Sequence, residues 1–256
     1  MNIKASYKYQ LADHKKSVII YYFVLISLII FLFGSLAVAV VYEDGTISGS
    51  AVNGLDMATA IFLFVTGLCS FKESFGMLIQ NGVSRKNIYL GRLFATITLA
   101  FGMAIIDTVI VIIFKFIGTL SKDNFYCSTL YEQFYRLHAN QLSSFQIHVV
   151  GFIFDFLLYL TCIALGYLIT NIFYRVNATG KVLLGAGVPV VLFVIYPIFD
   201  ATVMNGKISM AMVKGLDFAF GLSKQQPSHM FITSIIAFIA FSVLSYLFVR
   251  KANIKE

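Results

Sequence analysis

The chain has no tryptophan, only three prolines and three cysteines, and only 12% of its 256 residues are charged. Soluble domains carry about 25% charged residues, so half that share is too little to clothe a water-facing surface of this size. Hydrophobic residues make up 59%, and mean hydropathy is +0.86. These figures argue against soluble globular, disordered, coiled-coil and disulfide-scaffold classes and leave an integral membrane protein. Cys69, Cys127 and Cys162 are odd in number and show no CxxC or CxxH spacing, so neither a metal site nor a disulfide framework is indicated. HExxH, GxSxG and GxxxxGK(S/T) are all missing. The chain therefore lacks the usual phosphate-cradling loop, and no catalytic constellation stands out.

What is present is a set of long apolar runs. Crossing about 30 Å of hydrocarbon takes about 20 residues at 1.5 Å each. Five runs qualify: Val18–Val41, Leu93–Ile117, Val149–Phe173, Val182–Phe199 and Met230–Val249. A sixth, Met57–Phe71, is short and reaches working length only if its helix begins near Gly54, giving a span over 54–71 with Asp56 at the interface. The expected fold is all-α: one polytopic membrane domain, 1–256, with six transmembrane helices. The first run is too long for a cleaved signal peptide.

Charge fixes the expected orientation. Lys4, Lys8, Lys15, Lys16, Lys72, Arg85, Lys86, Arg92, Arg175, Lys181, Arg250, Lys251 and Lys255 fall on one side, against Asp13, Glu73 and Glu256. The other side holds Lys115, Lys122, Arg136, Lys207, Lys214 and Lys224 against Glu43, Asp44, Asp56, Asp123, Glu132, Asp200 and Asp217, close to neutrality. The positive-inside bias places both termini in the cytoplasm, which needs an even number of spans. The net charge of +7 is thus topology and implies no nucleic-acid partner.

The connections carry further expectations. Residues 1–17 read as a surface-lying amphipathic helix, with Ile3, Tyr7 and Leu11 on one face. Ser128–Leu142 reads as a short interfacial helix among aromatics. Within the outer segment 200–229, Ile208–Phe220 is apolar but too short to span, so it reads as a re-entrant or surface helix. His14, His138, His148 and His229 sit at run ends or in loops and read as interfacial anchors. Gly185, Gly187 and Pro189 predict a bent fifth span or close helix packing. After span 2, FKESFGMLIQN puts Phe71, Phe75, Leu78 and Ile79 on one helical face. Gly82 supplies a left-handed stop and Ser84 a cap for the next helix. This short helix, 71–83, fits two readings: an interfacial link between spans, or a knob on which a cytoplasmic partner docks.

Two acids lie inside apolar runs. Asp107 and Asp155 fall at similar depth in the outer half of neighbouring spans, where a carboxylate costs about 2.5–3.5 kcal/mol on insertion scales. They could pair with each other, bond neighbours such as Thr108, pack as satisfied acids, or line a polar translocation path. Lys115 is badly placed around the helix to pair with Asp107.

The wording of the cytoplasmic turn, LIQNGVSRKNIYLGR (Leu78–Arg92) after a short second span, resembles that of small bacterial permeases of the ATP-binding-cassette (ABC) type-2 exporter class. SYLFVRKANIK (Ser245–Lys255) is similar to that family's last span and basic tail. The resemblance covers the chain in layout and about 35 residues in wording. It implies that Lys72, Glu73, Phe75, Met77, Leu78, Ile79, Gln80 and Asn81 form a coupling helix inserted into a separate ABC ATPase nucleotide-binding subunit. It also implies an elbow helix at the N-terminus, and a second copy or related permease to complete the pathway. ATP and Mg would sit on the partner, so this chain would be a transport subunit with no cofactor of its own, in the bacterial cytoplasmic membrane. Arg85 and Lys86 would anchor span 3 to lipid phosphates. The expected cargo is hydrophobic or amphipathic, with a peptide as the guess. The alternative is an ion- or proton-coupled secondary transporter or channel using Asp107 and Asp155, although no inverted repeat is evident.

Overall fold

The computed structural model describes residues 3–42, 50–120 and 125–250. Glu43, Asp44, Lys122, Asp123 and the tail from Lys251 lie outside the described residues, as do the side chains of Lys72 and Glu73. The elements are α1 (Ile3–Tyr42), β1 (Ser50–Asn53), α2 (Leu55–Cys69), α3 (Lys72–Gln80), α4 (Arg85–Leu120) and β2 (Phe125–Ser128). Then come α5 (Leu130–Phe134), α6 (Arg136–Ala139), α7 (Ser144–Arg175), α8 (Ala178–Val182), α9 (Val188–Val190), α10 (Tyr196–Thr202), α11 (Lys207–Phe220) and α12 (Pro227–Arg250). Among the described residues, six helical runs are long and apolar enough to cross a membrane, as expected from hydropathy. The two short strands, which the sequence did not announce, pair in parallel with Ser50 opposite Phe125.

Helix α7 is the hub, packing against α2, α4 and α12, while α1 lies along α4. Small residues let the backbones approach: Ala60, Ala100 and Ala104 are buried beside Leu63, Met103, Tyr159 and Ile163. Such packing replaces the hydrophobic drive that lipid cannot supply. Gly54, with φ at 88°, starts α2. The 15 residues of α2 reach roughly 22 Å at 1.5 Å each, so the second span is short, and the chain bends at Ser70–Phe71 before α3.

The N-terminal segment departs from expectation. It is no separate surface helix, because nothing breaks the helix between Ile3 and the first span and α1 runs on through it. Its buried stripe is polar: Ser6, Gln10 and His14, not Ile3, Tyr7 and Leu11. Ser6 fits against Gly91, where a Cβ would meet it at 2.6 Å. Gln10 bonds Ser6 Oγ at 3.0 Å and the Ile88 carbonyl at 3.1 Å. Satisfying these polar groups against α4 turns the apolar side outward.

The end of the bundle away from α3 is capped by the chain itself. Thr129 and Glu132 form a capping box on α5. Tyr131 and Tyr135 are fully buried against Phe154 and Met230, so these rings pack under protein where an interfacial position was expected. Burial pushes the Tyr135 hydroxyl up to about 12, and it donates to the Phe220 carbonyl. Lys115 pairs with Glu132 at 2.5 Å.

The fifth span, Ala178–Thr202, stands off from the bundle with none of its apolar window buried. Two π-helical stretches, Leu183–Gly187 and Val191–Ile195, interrupt it. Each contains the carbonyl four residues before a proline, Pro189 or Pro197, which has no N–H to offer it. The helix widens there, with Val188 bonding Leu183 and Tyr196 bonding Val191. Helix α11 follows between Gly206 and Gly221, both left-handed. Asp200 holds its first turn by accepting from the Ile208 and Ser209 amides at 2.9 Å each.

Candidate functional site

Two polar constellations lie along α4, one at its N-terminal end and one around Asp107, nearly two thirds of the way along the helix. Asp107 is 22 residues beyond Arg85, roughly 33 Å along the axis at 1.5 Å per residue.

The first is built on α3. Its C-terminus closes as a Schellman turn: Val83 N–H bonds the Leu78 carbonyl at 3.0 Å, Gly82 N–H bonds that of Ile79 at 2.8 Å, and Gly82 has φ of 73°. Ser84 then caps α4, accepting from Asn87 N–H at 3.4 Å. The turn read from the sequence is present in these particulars. The aromatic face is also present, but it points inward. Phe71, Phe75 and Leu78 are buried with Val83, Ile88, Tyr167 and Val249, and the Phe71 and Phe75 rings stack at 4.7 Å beside Tyr174. Phe75 and Leu78 therefore cannot contact a partner directly, because α7 and α12 already cover them. Ile79 is half-buried at the edge of the same cluster. The outward face is Met77, Gln80 and Asn81, with Met77 half exposed; Tyr9 bonds the Met77 sulfur at 2.8 Å.

Arg92 ties this helix to the bundle. It is 3% exposed; its Nη1 meets His14 Nε2 at 2.6 Å, and its Nη2 donates to Ser70 Oγ at 2.5 Å. The guanidinium lies 5.3 Å over the Tyr167 ring. One side chain on α4 thus grips α1, the α2–α3 bend and α7. His14 is part of this lock and not an interfacial anchor. Arg85, which is exposed, donates through Nη1 to the Arg250 carbonyl at 2.9 Å, closing the end of α12.

The second constellation is acidic. Asp107 accepts from Tyr22 at 2.9 Å and from Tyr159 at 2.6 Å. Thr108 bonds its own helix at Ala104, not the acid. Asp155 is equally buried, but its Oδ1 has no partner among the described residues. Asp56, expected at an interface, is buried and accepts from the Leu130 amide at 2.6 Å, joining α2 to α5. Asp107 and Asp155 lie within electrostatic reach of one another without sharing a hydrogen bond. Among the described residues no group of His, Cys, Asp and Glu is arranged to hold a metal.

Sequence reading missed Arg92, His14, Ser70 and the tyrosine partners of Asp107. The available signal was the i, i+4, i+8 spacing of Ser6, Gln10 and His14, which marks one helix face. No family model matches the chain, and no curated protein or solved structure matches it.

Proposed function

We propose that the chain is the permease subunit of an ATP-driven exporter, with both termini in the cytoplasm of a bacterium and α3 as its coupling helix. The observation that carries this reading is the mounting of α3. Its inner face is locked by aromatic packing to α7 and α12, and the bend behind it is clamped by Arg92. Its outer face presents Met77, Gln80 and Asn81. A push on so rigid a knob passes directly to the spans, as a motor-driven rocking mechanism requires. The ABC ATPase subunits and their ATP and Mg belong to separate partner chains, and a second copy or related permease completes the path. The cargo class is hydrophobic or amphipathic, a peptide by preference.

The test is association with an ATPase in mild detergent from native membranes. Met77→Glu and Gln80→Glu lose co-purification with a GxxxxGK(S/T) protein and lose stimulation of its ATPase activity, at unchanged thermal stability. Retention of both properties in these variants, or no co-purifying ATPase, overturns the reading. A second reading, ion or proton coupling without any ATPase, is favoured by one observation: the unpartnered, buried Oδ1 of Asp155. Gradient-driven transport by the isolated chain in liposomes distinguishes it.

A further inference from the structure

Where α5 and α6 meet the start of α7, the structure holds a half-open pocket of about 730 Å³. Small-molecule sites occupy about 300–1,000 Å³. Ala139, Leu142 and Ile147 give this pocket an apolar part, and Glu132, Gln133, Arg136 and Asn140 give it a polar one.

Its charges do not cancel. Glu132 is spent within the protein: Oε1 pairs with Lys115 at 2.5 Å and Oε2 accepts from the Thr129 amide at 2.9 Å. Arg136 is exposed and forms no ion pair or hydrogen bond among the described residues. Ile147 stands in the first turn of α7, the end of a helix that carries partial positive charge. The pocket therefore favours an anion. Two exposed carboxamides are also uncommitted. That of Asn140 has no partner among the described residues, and that of Gln133 makes only a long bond, 3.4 Å, to the Ser128 carbonyl. Each offers a donor and an acceptor, which is the complement of a peptide group.

The surround is fixed in advance. Capping boxes start both α5 and α7. Gln225 holds the α5–α6 corner, accepting from the Leu137 amide at 3.2 Å and donating to the Phe134 carbonyl at 3.0 Å. Tyr131 and Tyr135 on the same segment are fully buried. A ligand therefore meets a frame that needs little ordering, which favours binding.

We propose that this pocket binds the C-terminal end of a short peptide. Arg136 takes the carboxylate with its planar fork. Gln133 and Asn140 bond the adjoining peptide groups, and Leu142 and Ile147 receive an apolar side chain. A fatty acid brings the same carboxylate but leaves both carboxamides unmatched. The inference does not rest on the exporter reading, because binding here needs no ATPase.

The test uses the purified full chain in mild detergent, with empty micelles as the blank. The probe is a dansyl-labelled tetrapeptide of alanine and leucine, as free acid and as C-terminal amide, followed by fluorescence anisotropy. The acid binds saturably, and the amide, without the charge-assisted bonds, binds roughly tenfold more weakly or worse. Arg136→Gln lowers the acid to the level of the amide, and Arg136→Lys recovers only part of the loss. Both variants melt with the wild type, because the residue is exposed. Asn140→Ala weakens acid and amide alike, roughly two- to tenfold. Equal binding of acid and amide, or binding that Arg136→Gln leaves undiminished, overturns the proposal. So does the absence of saturable binding. Displacement of the peptide by an equal concentration of a short-chain anionic phospholipid assigns the pocket to a lipid headgroup and overturns it as well.

Discussion

Gly67 on α2 and Gly166 on α7 face each other so closely that neither position has room for a side chain. A Cβ on Gly67 would lie 2.5 Å from the Ile163 carbonyl oxygen and 3.2 Å from Gly166 Cα, and one on Gly166 would run into the Phe64 carbonyl. The obstacles are backbone atoms, which cannot swing aside. Gly67→Leu and Gly166→Val therefore separate the two helices, at a cost in the range of overpacked cores, about 1–3 kcal/mol or more. Gly102, in α4, has nothing within 4 Å of a built Cβ, so Gly102→Ala holds or raises stability by helix propensity. Thermal unfolding of the three variants in one detergent checks the contrast.

The inner face of α3 is a stability element and its outer face is not. Phe75→Ala empties a site that is 1% exposed and stacked on Phe71, and Leu78→Ala opens one nearly as closed. Large-to-small changes of this kind cost about 2–5 kcal/mol. Met77→Ala, on the half-exposed side, costs well under 1 kcal/mol, in keeping with ~0.5 kcal/mol for surface changes. Loss of monodispersity or melting temperature in Phe75→Ala but not in Met77→Ala checks this assignment of faces. The reverse pattern contradicts it.

Hydropathy made the spans legible because each run is nearly all apolar over its length. The turn after α3 was legible because Gly82 and Ser84 act locally. Orientation was not legible. The Phe71–Phe75–Leu78 stripe announces a face without saying which side covers it, and the answer comes from Tyr167, Tyr174 and Val249, roughly a hundred residues or more away. The N-terminal stripe misled for the opposite reason. Polar residues are read as solvent-facing, yet Ser6, Gln10 and His14 are the buried side because Gly91, Ile88 and Arg92 meet them with matching polarity and space. The bonds to Asp107 arise from Tyr22 and Tyr159, 85 and 52 residues distant in sequence, and no local pattern encodes them.

Cys127 in β2 is half-buried, and burial pushes its thiol up to about 11. The thiolate is the reactive form, so at neutral pH the residue resists maleimide. Below that value each pH unit raises the thiolate fraction about tenfold, and labelling accelerates accordingly. In a background lacking Cys69 and Cys162, the rate between pH 7 and pH 9 rises roughly a hundredfold, faster than an ordinary thiol, which begins to saturate near pH 8.5. A rate that levels off near pH 8.5 would falsify the burial of this thiol. Labelling by a membrane-impermeant reagent on intact cells at the higher pH also reports the side on which β2 lies.

Asp107 and Asp155 are predicted to separate structure from transport. Asp107→Leu removes the acceptor for Tyr159, whereas Tyr22 still has the Met103 carbonyl at 3.2 Å. One stranded hydroxyl costs about 1–3 kcal/mol. Asp107→Asn keeps an acceptor oxygen for Tyr159 and loses less, and adding Tyr159→Phe to Asp107→Leu recovers part of the loss, giving a positive coupling in a double-mutant cycle. Asp155 behaves differently, because no donor meets its Oδ1. Asp155→Leu leaves no donor there stranded, so stability is unchanged or raised, as when buried charges are replaced by apolar groups. If the two acids line the translocation path, Asp107→Asn and Asp155→Asn lower transport while assembly and melting temperature hold. Unchanged transport in both variants, measured in reconstituted vesicles, assigns the acids to packing alone. A fall in transport for Asp155→Leu alongside higher stability identifies a carboxyl kept at an energetic cost for its function.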